Sequence, residues 1–493
     1  MPSIATESTS PLPFISRGFM DQEQTWITVQ NVGDDDNTAA TTYNYFMSKE
    51  PREELGPIRE IDDPYLGRTK VRDVRIGMTR NAKEENRKEV VAYLSPYPHT
   101  RIDNAKPLQG WYKGLHEPEG TRARPCFTEA VLTEPYGGWC AVGCAFCYVN
   151  SGFRGYRGSG LITVPLSYGE QIRAQLNKMR RGAAGYFSSF TDPFLPLEAF
   201  YHNTEEAARE FVRVGLPIFF LSRLRYPDWA VELLRIDPHS YAQKSINTSN
   251  QEDWKALSPG ALPLTDHLDD IRRLKAAGVY VSIQCNPIVP GVTSHDDIIN
   301  LFQLLADAGA DHVIVKFVEA GYSWAPTMAE RMIKRFGDRG KKFAELFTDN
   351  QGGQRCVEES YRLRAHKLYS TYAKRYGLTY ATCYEYRYER DEAGNITSKT
   401  GVSIGREYTT ADQCHGHAVP VYTRDSDKEN FRPVEECPPS GCLHCASEND
   451  TPGSEGKPRC GDELAGQANA VRAADLKLPV GSAKGRKIEL PLV

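Results

Sequence analysis

The chain has 493 residues, and 60 Lys and Arg against 64 Asp and Glu give it a net charge of −4. The length suits about three domains, so cysteines are not needed to staple a miniature core. The acidic balance argues against a strongly basic nucleic-acid binder, although a local basic groove stays possible. The longest clean apolar run, 216–221, is too short to span a membrane, and the start lacks a signal-peptide core. We therefore expect a cytoplasmic protein, in which thiols stay reduced.

Residues 1–120 are predicted to be an N-terminal extension. The first 40 residues are polar, with TESTS and GDDDNTAATT segments, and are predicted to be partly disordered. No chemistry is assigned to this region.

The region 121–350 alternates short apolar strands with amphipathic helices. Such alternation implies parallel strands joined by right-handed crossovers. Periodicity alone leaves open a full barrel, a partial barrel or a doubly wound sheet. In a barrel, the chemistry gathers at the carboxyl ends of the strands. The six predicted strands are 127–133, 184–190, 216–222, 240–248, 279–285 and 312–319.

The alternation stops near 350. A helix near 357–375 and a strand near 378–386 precede sequence that is rich in loops and cysteines. The region 351–493 is therefore predicted to be a small C-terminal region with an auxiliary metal or cluster site.

The spacing of Cys140, Cys144 and Cys147 is the sharpest feature of the sequence. Three cysteines in one tight loop can direct three thiolates at one small object. A structural zinc site needs four ligands, and no fourth cysteine lies nearby. An iron–sulfur cube held by three thiolates keeps one iron open for another ligand. A zinc knuckle completed from a distance is the alternative.

This motif resembles the signature of radical S-adenosylmethionine (SAM) enzymes, C-x3-C-x2-C followed by an aromatic residue, here Tyr148. The match is closest to the spore photoproduct lyase-like branch and covers about 125–320. The branch often has Leu-Glu-Pro after its fourth unit, whereas this chain has Leu-Ser-Pro at 257–259. The motifs that carry the resemblance are the lead-in 133–140, the T-D-P-F-L-P-L-E segment 191–198, and the segments 274–278 and 286–291.

The resemblance implies an α/β fold, a partial, six-stranded TIM-type parallel barrel. It also implies a [4Fe-4S] cluster on Cys140, Cys144 and Cys147, with SAM bound to the open iron. Reductive cleavage of SAM would give a 5′-deoxyadenosyl radical that takes hydrogen from a substrate. A flavodoxin or ferredoxin would supply the electron.

Polar residues at strand ends are candidates for binding SAM. Residues at the ends of three strands supply further polar groups. Arg223 could bind a carboxylate, and Lys316 with Glu319 needs a partner or a ligand. Glu198 could bind a ligand or cap the next segment. Alternatively, Thr191 and Asp192 organise the turn before Pro193. The SAM candidates are Ser188, Ser189, Thr191, Asp192, Gln243, Ser245 and Asn247.

Cys285 ends the fifth predicted strand. Its thiol is a candidate catalytic group that could donate hydrogen to a substrate radical. The alternative is a small buried apolar residue, which is common for cysteine.

A second cysteine set lies near the C-terminus, within a segment rich in Pro and Gly. An auxiliary iron–sulfur cluster or a zinc site is expected there. Cys383, Cys414, His415 and His417 could add ligands. The set consists of Cys437, Cys442, Cys445 and Cys460.

Three functions remain open from the sequence. The favoured one is a radical SAM enzyme that acts on a small molecule or a peptide. The second is a nucleic-acid lesion lyase, for which the basic run 331–342 could track phosphates. The third, from another class, is a non-enzymatic scaffold that holds zinc.

Overall fold

A computed structural model supplies the structure of the chain. It describes residues 14–20, 24–30, 41–44, 56–77, 87–103, 108–112, 130–147, 149, 161–179, 181–351, 354–411, 414–417, 419–420 and 422–433.

The strands divide among several sheets. Those before the cysteine loop are β1 (Phe14–Met20), β2 (Gln24–Gln30), β3 (Thr41–Asn44), β4 (Arg59–Asp63), β5 (Gly67–Gly77), β6 (Arg87–Tyr93), β7 (His99–Ile102), β8 (Leu108–Tyr112), β9 (Ala130–Thr133) and β10 (Gly137–Gly138). The next are β11 (Ile162–Pro165), β12 (Arg181–Gly182), β13 (Ala184–Phe187), β14 (Ile218–Ser222), β15 (Tyr241–Ser245), β16 (Tyr280–Ile288), β17 (His312–Phe317) and β18 (Glu319–Gly321). The last are β19 (Asp349–Gln351), β20 (Gln354–Cys356), β21 (Thr379–Thr382), β22 (Tyr386–Arg390), β23 (Ile396–Ser403), β24 (Tyr422–Thr423) and β25 (Arg432–Pro433).

The helices lie between and after the strands of the largest sheet. In the described part of the chain, none is long and apolar enough to cross a membrane. They are α1 (Tyr168–Leu176), α2 (Glu198–Tyr201), α3 (Asn203–Arg213), α4 (Asp228–Leu234), α5 (Gln251–Leu257), α6 (Leu264–Ala276), α7 (His295–Asp307), α8 (Ala325–Phe336), α9 (Asp338–Leu346), α10 (Glu359–Arg375) and α11 (Gly405–Tyr408).

Two of these helices show why they begin where they do. The Ser294 side chain accepts a hydrogen bond from the Asp297 amide at the start of α7, and the Asn250 side chain caps α5 in the same way. Each cap satisfies amide groups that have no partner within the first turn. Acidic residues in both first turns also favour the positive end of the helix dipole.

The largest sheet has eight strands in the order β21-β17-β16-β15-β14-β13-β9-β8. All neighbouring pairs from β9 to β21 are parallel, and β8 pairs antiparallel with β9. The prediction of an α/β fold with a partial parallel barrel is confirmed: the six predicted strands are present, and the sheet does not close. A seventh parallel strand, β21, comes from the region assigned to the C-terminal part.

The helices that contact the sheet pack on one face of it. Phe187 on β13 contacts Phe211 of α3, and Phe317 on β17 contacts His366 of α10. Lys244 on β15 forms an ion pair with Asp270 of α6. Helices on one face are what a barrel-type winding gives, whereas a doubly wound sheet has helices on both faces. We call the helix-covered face the outer face and the opposite one the inner face.

The strand register arranges the inner face in rows. The lowest row, toward the amino ends of the strands, is Tyr186–Phe219–Tyr241–Tyr280. The next is Leu221–Gln243–Ser282–His312–Thr379, followed by Ser245–Gln284–Ile314–Ala381. Because side chains alternate between faces, Lys316 belongs to the inner face above these rows.

The N-terminal region contributes a second sheet, with the strand order β10-β11-β7-β6-β5-β4. Arg101 of β7 forms an ion pair with Asp63 at 2.6 Å and donates to the Tyr201 hydroxyl of α2. This sheet therefore contacts the segment that follows β13. The smaller sheets are β1-β2-β3, β12-β24-β25, β18-β20-β19 and β22-β23.

The proposed domain boundaries at 120 and 350 remain predictions. The eight-stranded sheet takes β8 from before the first boundary and β21 from after the second.

Candidate active site

The cysteine loop follows β9 and packs against the loop after α5. The Ala145 amide donates to the Leu257 carbonyl at 2.8 Å, and the Gly260 amide donates to the Val142 carbonyl at 2.9 Å. A Cβ atom on Gly260 would lie 2.3 Å from the Ala141 carbonyl oxygen, so a larger residue does not fit there. The two backbones thus hold each other directly.

The three cysteines of this loop form no disulfide bonds and are half-buried. The Ser258 hydroxyl donates to Cys144 Sγ at 3.4 Å. Burial raises the pKa of the Cys144 thiol, while the positive charge of Arg223 opposes that rise. A thiol beside a cation and a hydroxyl donor is suited to act as a thiolate ligand.

Arg223 lies at the carboxyl end of β14 and is buried. Its guanidinium donates to the Asn286 carbonyl at 2.8 Å and to the Ser258 hydroxyl at 3.4 Å. The guanidinium also lies over the rings of Phe146, at 5.1 Å, and Trp254. The expected polar role of Arg223 therefore centres on the cysteine loop, where it supplies the nearest positive charge to Cys144.

Among the described residues, no three His, Cys, Asp or Glu side chains are placed to hold a single metal ion. An iron–sulfur cube has a different requirement, because each thiolate binds a different iron atom.

Three buried polar atoms, one within β15 and two just after β13 and β15, lack hydrogen-bond partners among the described residues. They are Ser188 Oγ, Gln243 Oε1 and Asn247 Oδ1. Buried polar atoms are nearly always satisfied by protein, water or a ligand. These atoms are all on predicted SAM-binding residues. Together with the three cysteines of the loop, they fit a site for a cluster with a polar ligand beside it.

The other predicted SAM-binding residues have protein partners. Ser189 donates through both its amide and its hydroxyl to Glu134 Oε1, at 2.5 and 2.9 Å, and Thr191 donates to Glu134 Oε2 at 3.3 Å. Ser245 donates to the Asn286 carbonyl at 3.5 Å, the upper limit for such a bond. The structure therefore places these hydroxyls beside the site but engages them with the chain itself.

Asp192 ties two strand ends together. Its carboxylate accepts from the Phe194 amide at 3.0 Å, from the Arg223 amide at 2.7 Å and from the Ser222 hydroxyl at 2.9 Å. These contacts agree with the alternative that Asp192 organises the turn. Burial raises the pKa of Asp192, while the Arg223 and Phe194 amides and the Ser222 hydroxyl oppose that rise.

Glu198 caps the helix that follows it. Its carboxylate accepts from the Thr204 and Glu205 amides in the first turn of α3, at 3.0 and 2.9 Å, and from the Tyr136 hydroxyl at 2.5 Å. Burial raises the pKa of Glu198 to about 7 despite these donors. Of the two roles considered for Glu198, the structure favours the cap.

Cys285 and Cys383 lie on opposite faces of the sheet. Cys285 is in register with Val315 on the outer face and is fully buried, and burial raises its pKa strongly. Cys383 follows β21, two residues after Ala381, so it belongs to the inner face. The pKa of Cys383 is raised to about 12 by burial, with Lys316 as the nearest opposing charge. The geometry of Cys285 agrees with packing, and its role as hydrogen donor stays a prediction.

The residues near Cys414 lie at the other end of the inner face. The His415 ring packs edge-on to Phe219, at 5.2 Å, and its Nδ1 is hydrogen-bonded to the Tyr241 hydroxyl at 2.5 Å. The Cys414 carbonyl is within 2.9 Å of His312 Nε2. The predicted ligands Cys437, Cys442, Cys445 and Cys460 lie outside the described residues.

Several site residues were not predicted from the sequence. Glu134, Ser258 and Gly260 act through contacts with segments distant in the chain, so no local spacing signals them. The sequence has Leu-Ser-Pro at 257–259 where the branch often has Leu-Glu-Pro, but only the structure shows that Ser258 contacts Cys144.

No family model matches the chain. A curated relative, a radical SAM Nα-GlyT isomerase of Pseudomonas phage M6, is 59% identical over 450 residues, which are 89% of this chain and 92% of the relative. Two solved structures are less similar. A spore photoproduct lyase complexed with dinucleoside spore photoproduct has a TM-score of 0.41 and 14% identity over 57% of this chain and 81% of its own. Streptococcus suis SuiB bound to S-adenosylmethionine has a TM-score of 0.33 and 12% identity over 50% of this chain and 48% of its own.

The identity to the phage relative extends over nearly the whole of both chains, and the cysteine loop of this chain has the geometry described above. The chain belongs to the radical SAM family of enzymes.

Proposed function

We propose that this enzyme is an isomerase that converts Nα-GlyT by radical chemistry. The observation that carries the proposal is the 59% identity to the phage Nα-GlyT isomerase over 450 residues. The name of that relative supplies both the reaction and the substrate.

We assign the cluster to Cys140, Cys144 and Cys147, which share one loop and form no disulfide bonds. We assign SAM to the neighbouring polar atoms of Ser188, Gln243 and Asn247, which lack partners among the described residues. Ser189, Thr191, Asp192 and Ser245 remain proposed contributors at the rim of that site.

When bound and reduced, the [4Fe-4S] cluster and SAM supply a 5′-deoxyadenosyl radical that removes one hydrogen atom from the substrate. The chain itself orients the reactants and excludes water. At the lower end, Tyr241 and His415 block the inner face. At the upper end, Arg223 places a positive charge beside Cys144. An isomerisation changes neither composition nor oxidation state, so the hydrogen removed must be returned within the same closed site.

Two further assignments extend the proposal. The cysteines at 437–460 are proposed to hold an auxiliary iron–sulfur cluster, or zinc in its place, and a flavodoxin or ferredoxin is the proposed reductant. A reducing, cytoplasmic compartment is proposed because the loop cysteines must stay as thiols.

The test uses the full chain, reconstituted with iron and sulfide without oxygen, then reduced and mixed with SAM and Nα-GlyT. The expected product has the mass of Nα-GlyT and a different retention time. The variant with Cys140, Cys144 and Cys147 changed to Ala is the control and should form none. A product of different mass would indicate a lyase, and unchanged Nα-GlyT with active SAM cleavage would mean another substrate.

A further inference from the structure

A partly buried ion pair lies on the inner face at the end of β17. Lys316 Nζ is 2.6 Å from Glu319 Oε1, and the side chains are 10% and 29% exposed. Residues on the other face of β17 contact α10, as Phe317 does with His366. Since side chains alternate along a strand, Lys316 faces away from the helices.

Stability alone does not explain this pair. An ion pair removed from water is often no more stable than apolar residues of the same volume. A lysine ammonium has three N–H donors, and within the described part of the chain Glu319 is their one hydrogen-bond acceptor. The Tyr384 ring lies 4.6 Å from Nζ. The ammonium thus keeps donors for a ligand.

The pair is close to the proposed SAM site without being part of it. Ile314, two residues before Lys316, is in register with Gln284, and Gln284 is in register with Ser245. Neighbouring strands lie about 4.8 Å apart, so a side chain on β17 is roughly 10 Å across the sheet from one on β15. That separation places the pair beside the proposed SAM contacts and not among them, where a second molecule would bind.

The charges define what such a molecule must carry. An ammonium and a carboxylate side by side complement a ligand that carries the opposite charges with similar spacing. Glu319 would repel a phosphate or a lone carboxylate, and Lys316 would repel a lone cation. Burial lowers the pKa of Lys316, but the Glu319 carboxylate outweighs that effect, so the pKa is raised and the ammonium stays charged.

We infer that Lys316 and Glu319 bind the zwitterionic, amino-acid part of the substrate, with its carboxylate on Lys316 and its amino group on Glu319. This inference rests on the proposed function and names the residues that recognise the substrate. With its amide group turned so that the nitrogen faces Glu319, Gln354 would donate to that carboxylate at 3.1 Å and hold it in place.

The test is equilibrium dialysis of Nα-GlyT and of its carboxamide analogue against the reconstituted, SAM-loaded protein. Lys316→Met should weaken binding of Nα-GlyT by about thirtyfold, the loss of one charged hydrogen bond. It should also abolish the preference for Nα-GlyT over the carboxamide. Lys316→Arg should retain most of the affinity, which keeps the test informative if the Met variant folds poorly. SAM affinity, measured separately, should not change.

The matched control is Lys275→Met. Lys275 forms an ion pair of similar length, 2.7 Å, with Asp311 on the helix side, and its loss should leave substrate binding unchanged. Wild-type binding by Lys316→Met, or a loss confined to SAM, would overturn the inference alone. Failure of the wild-type protein to bind Nα-GlyT would overturn both the inference and the proposed function.

Discussion

The two ends of the inner face differ in how their polar groups are satisfied. At the lower end, Tyr186, Phe219 and Tyr241 stack in register, with ring centroids 4.5 Å apart in both pairs. His415 covers them, and its ring nitrogen is paired with the Tyr241 hydroxyl. At the upper end, Gln243 Oε1 and Asn247 Oδ1 are buried without partners among the described residues.

This difference separates stability from binding. The filled lower end resembles a core, where aromatic packing and satisfied polar groups stabilise the fold. At the upper end, burying polar atoms without partners costs free energy, which a bound ligand would offset. Substitutions at the lower end should therefore change unfolding, and those at the upper end should change cofactor binding.

The largest effect is expected at the cysteine loop. Changing Cys144 to Ala should abolish SAM cleavage, because the cluster loses one of its three proposed thiolates. Iron content and 5′-deoxyadenosine, quantified by mass spectrometry, measure the result.

Cys285→Ala is the matched control for that loss. It should keep iron and SAM cleavage but lower the free energy of unfolding by about 1 kcal/mol, as for a small buried residue. If Cys285→Ala cleaved SAM yet formed no isomer, the catalytic role of Cys285 would stand.

Gln243→Leu tests the upper end. The variant should weaken SAM binding by about tenfold, the upper value for one neutral hydrogen bond. Stability should fall little, because Oε1 has no partner among the described residues and Nε2 makes only a 3.4 Å hydrogen bond to Ser282 Oγ. Equilibrium dialysis with labelled SAM measures the change, and unaltered affinity would remove Gln243 from the proposed site.

Tyr241→Phe tests the lower end on the same strand and the same face. Loss of the hydroxyl leaves His415 Nδ1 unpaired, which should lower the free energy of unfolding by about 1–2 kcal/mol. SAM affinity should stay at the wild-type value. Urea unfolding provides the measurement, and a change in SAM affinity larger than that of Gln243→Leu would contradict the proposed division.

Two buried histidines, His415 and His312, give the stability of the fold a pH dependence. Burial lowers the pKa of His415 to about 3 and that of His312 to about 4, both below the ordinary 6.5. As the pH falls below 6.5, the histidines of the unfolded chain take up protons, whereas those of the folded chain do so only near pH 4 and pH 3. The stability that the neutral histidines contribute is therefore lost as the pH falls from 6.5 to between 4 and 3. Urea midpoints at pH 7.5 and 5.5 should show this fall. His415→Gln should reduce the difference, and an identical difference would contradict the assignment.

Family membership also removes one of the functions considered from the sequence. A non-enzymatic zinc scaffold is not compatible with a radical SAM enzyme that shares 59% identity with an isomerase.

Much of the fold followed from local patterns. Alternating apolar segments and helix stops at regular spacing predict six strands of the large sheet. These are β9, β13, β14, β15, β16 and β17. β21 was predicted as a strand near 378–386 but not as part of the sheet, since parallel pairing with β17 joins residues 67 apart, as in His312 and Thr379.

The sequence by itself indicated the class of enzyme through its resemblance to the radical SAM signature, because three cysteines at x3 and x2 spacing place three thiolates in one loop whatever surrounds them. Only the tertiary structure decided which polar groups remain available there. Asp192 and Glu198 accept hydrogen bonds from backbone amides, while Gln243 and Asn247 each keep an atom without a partner among the described residues. Local spacing is set by bonds along the chain, but hydrogen-bond satisfaction depends on which distant segments meet.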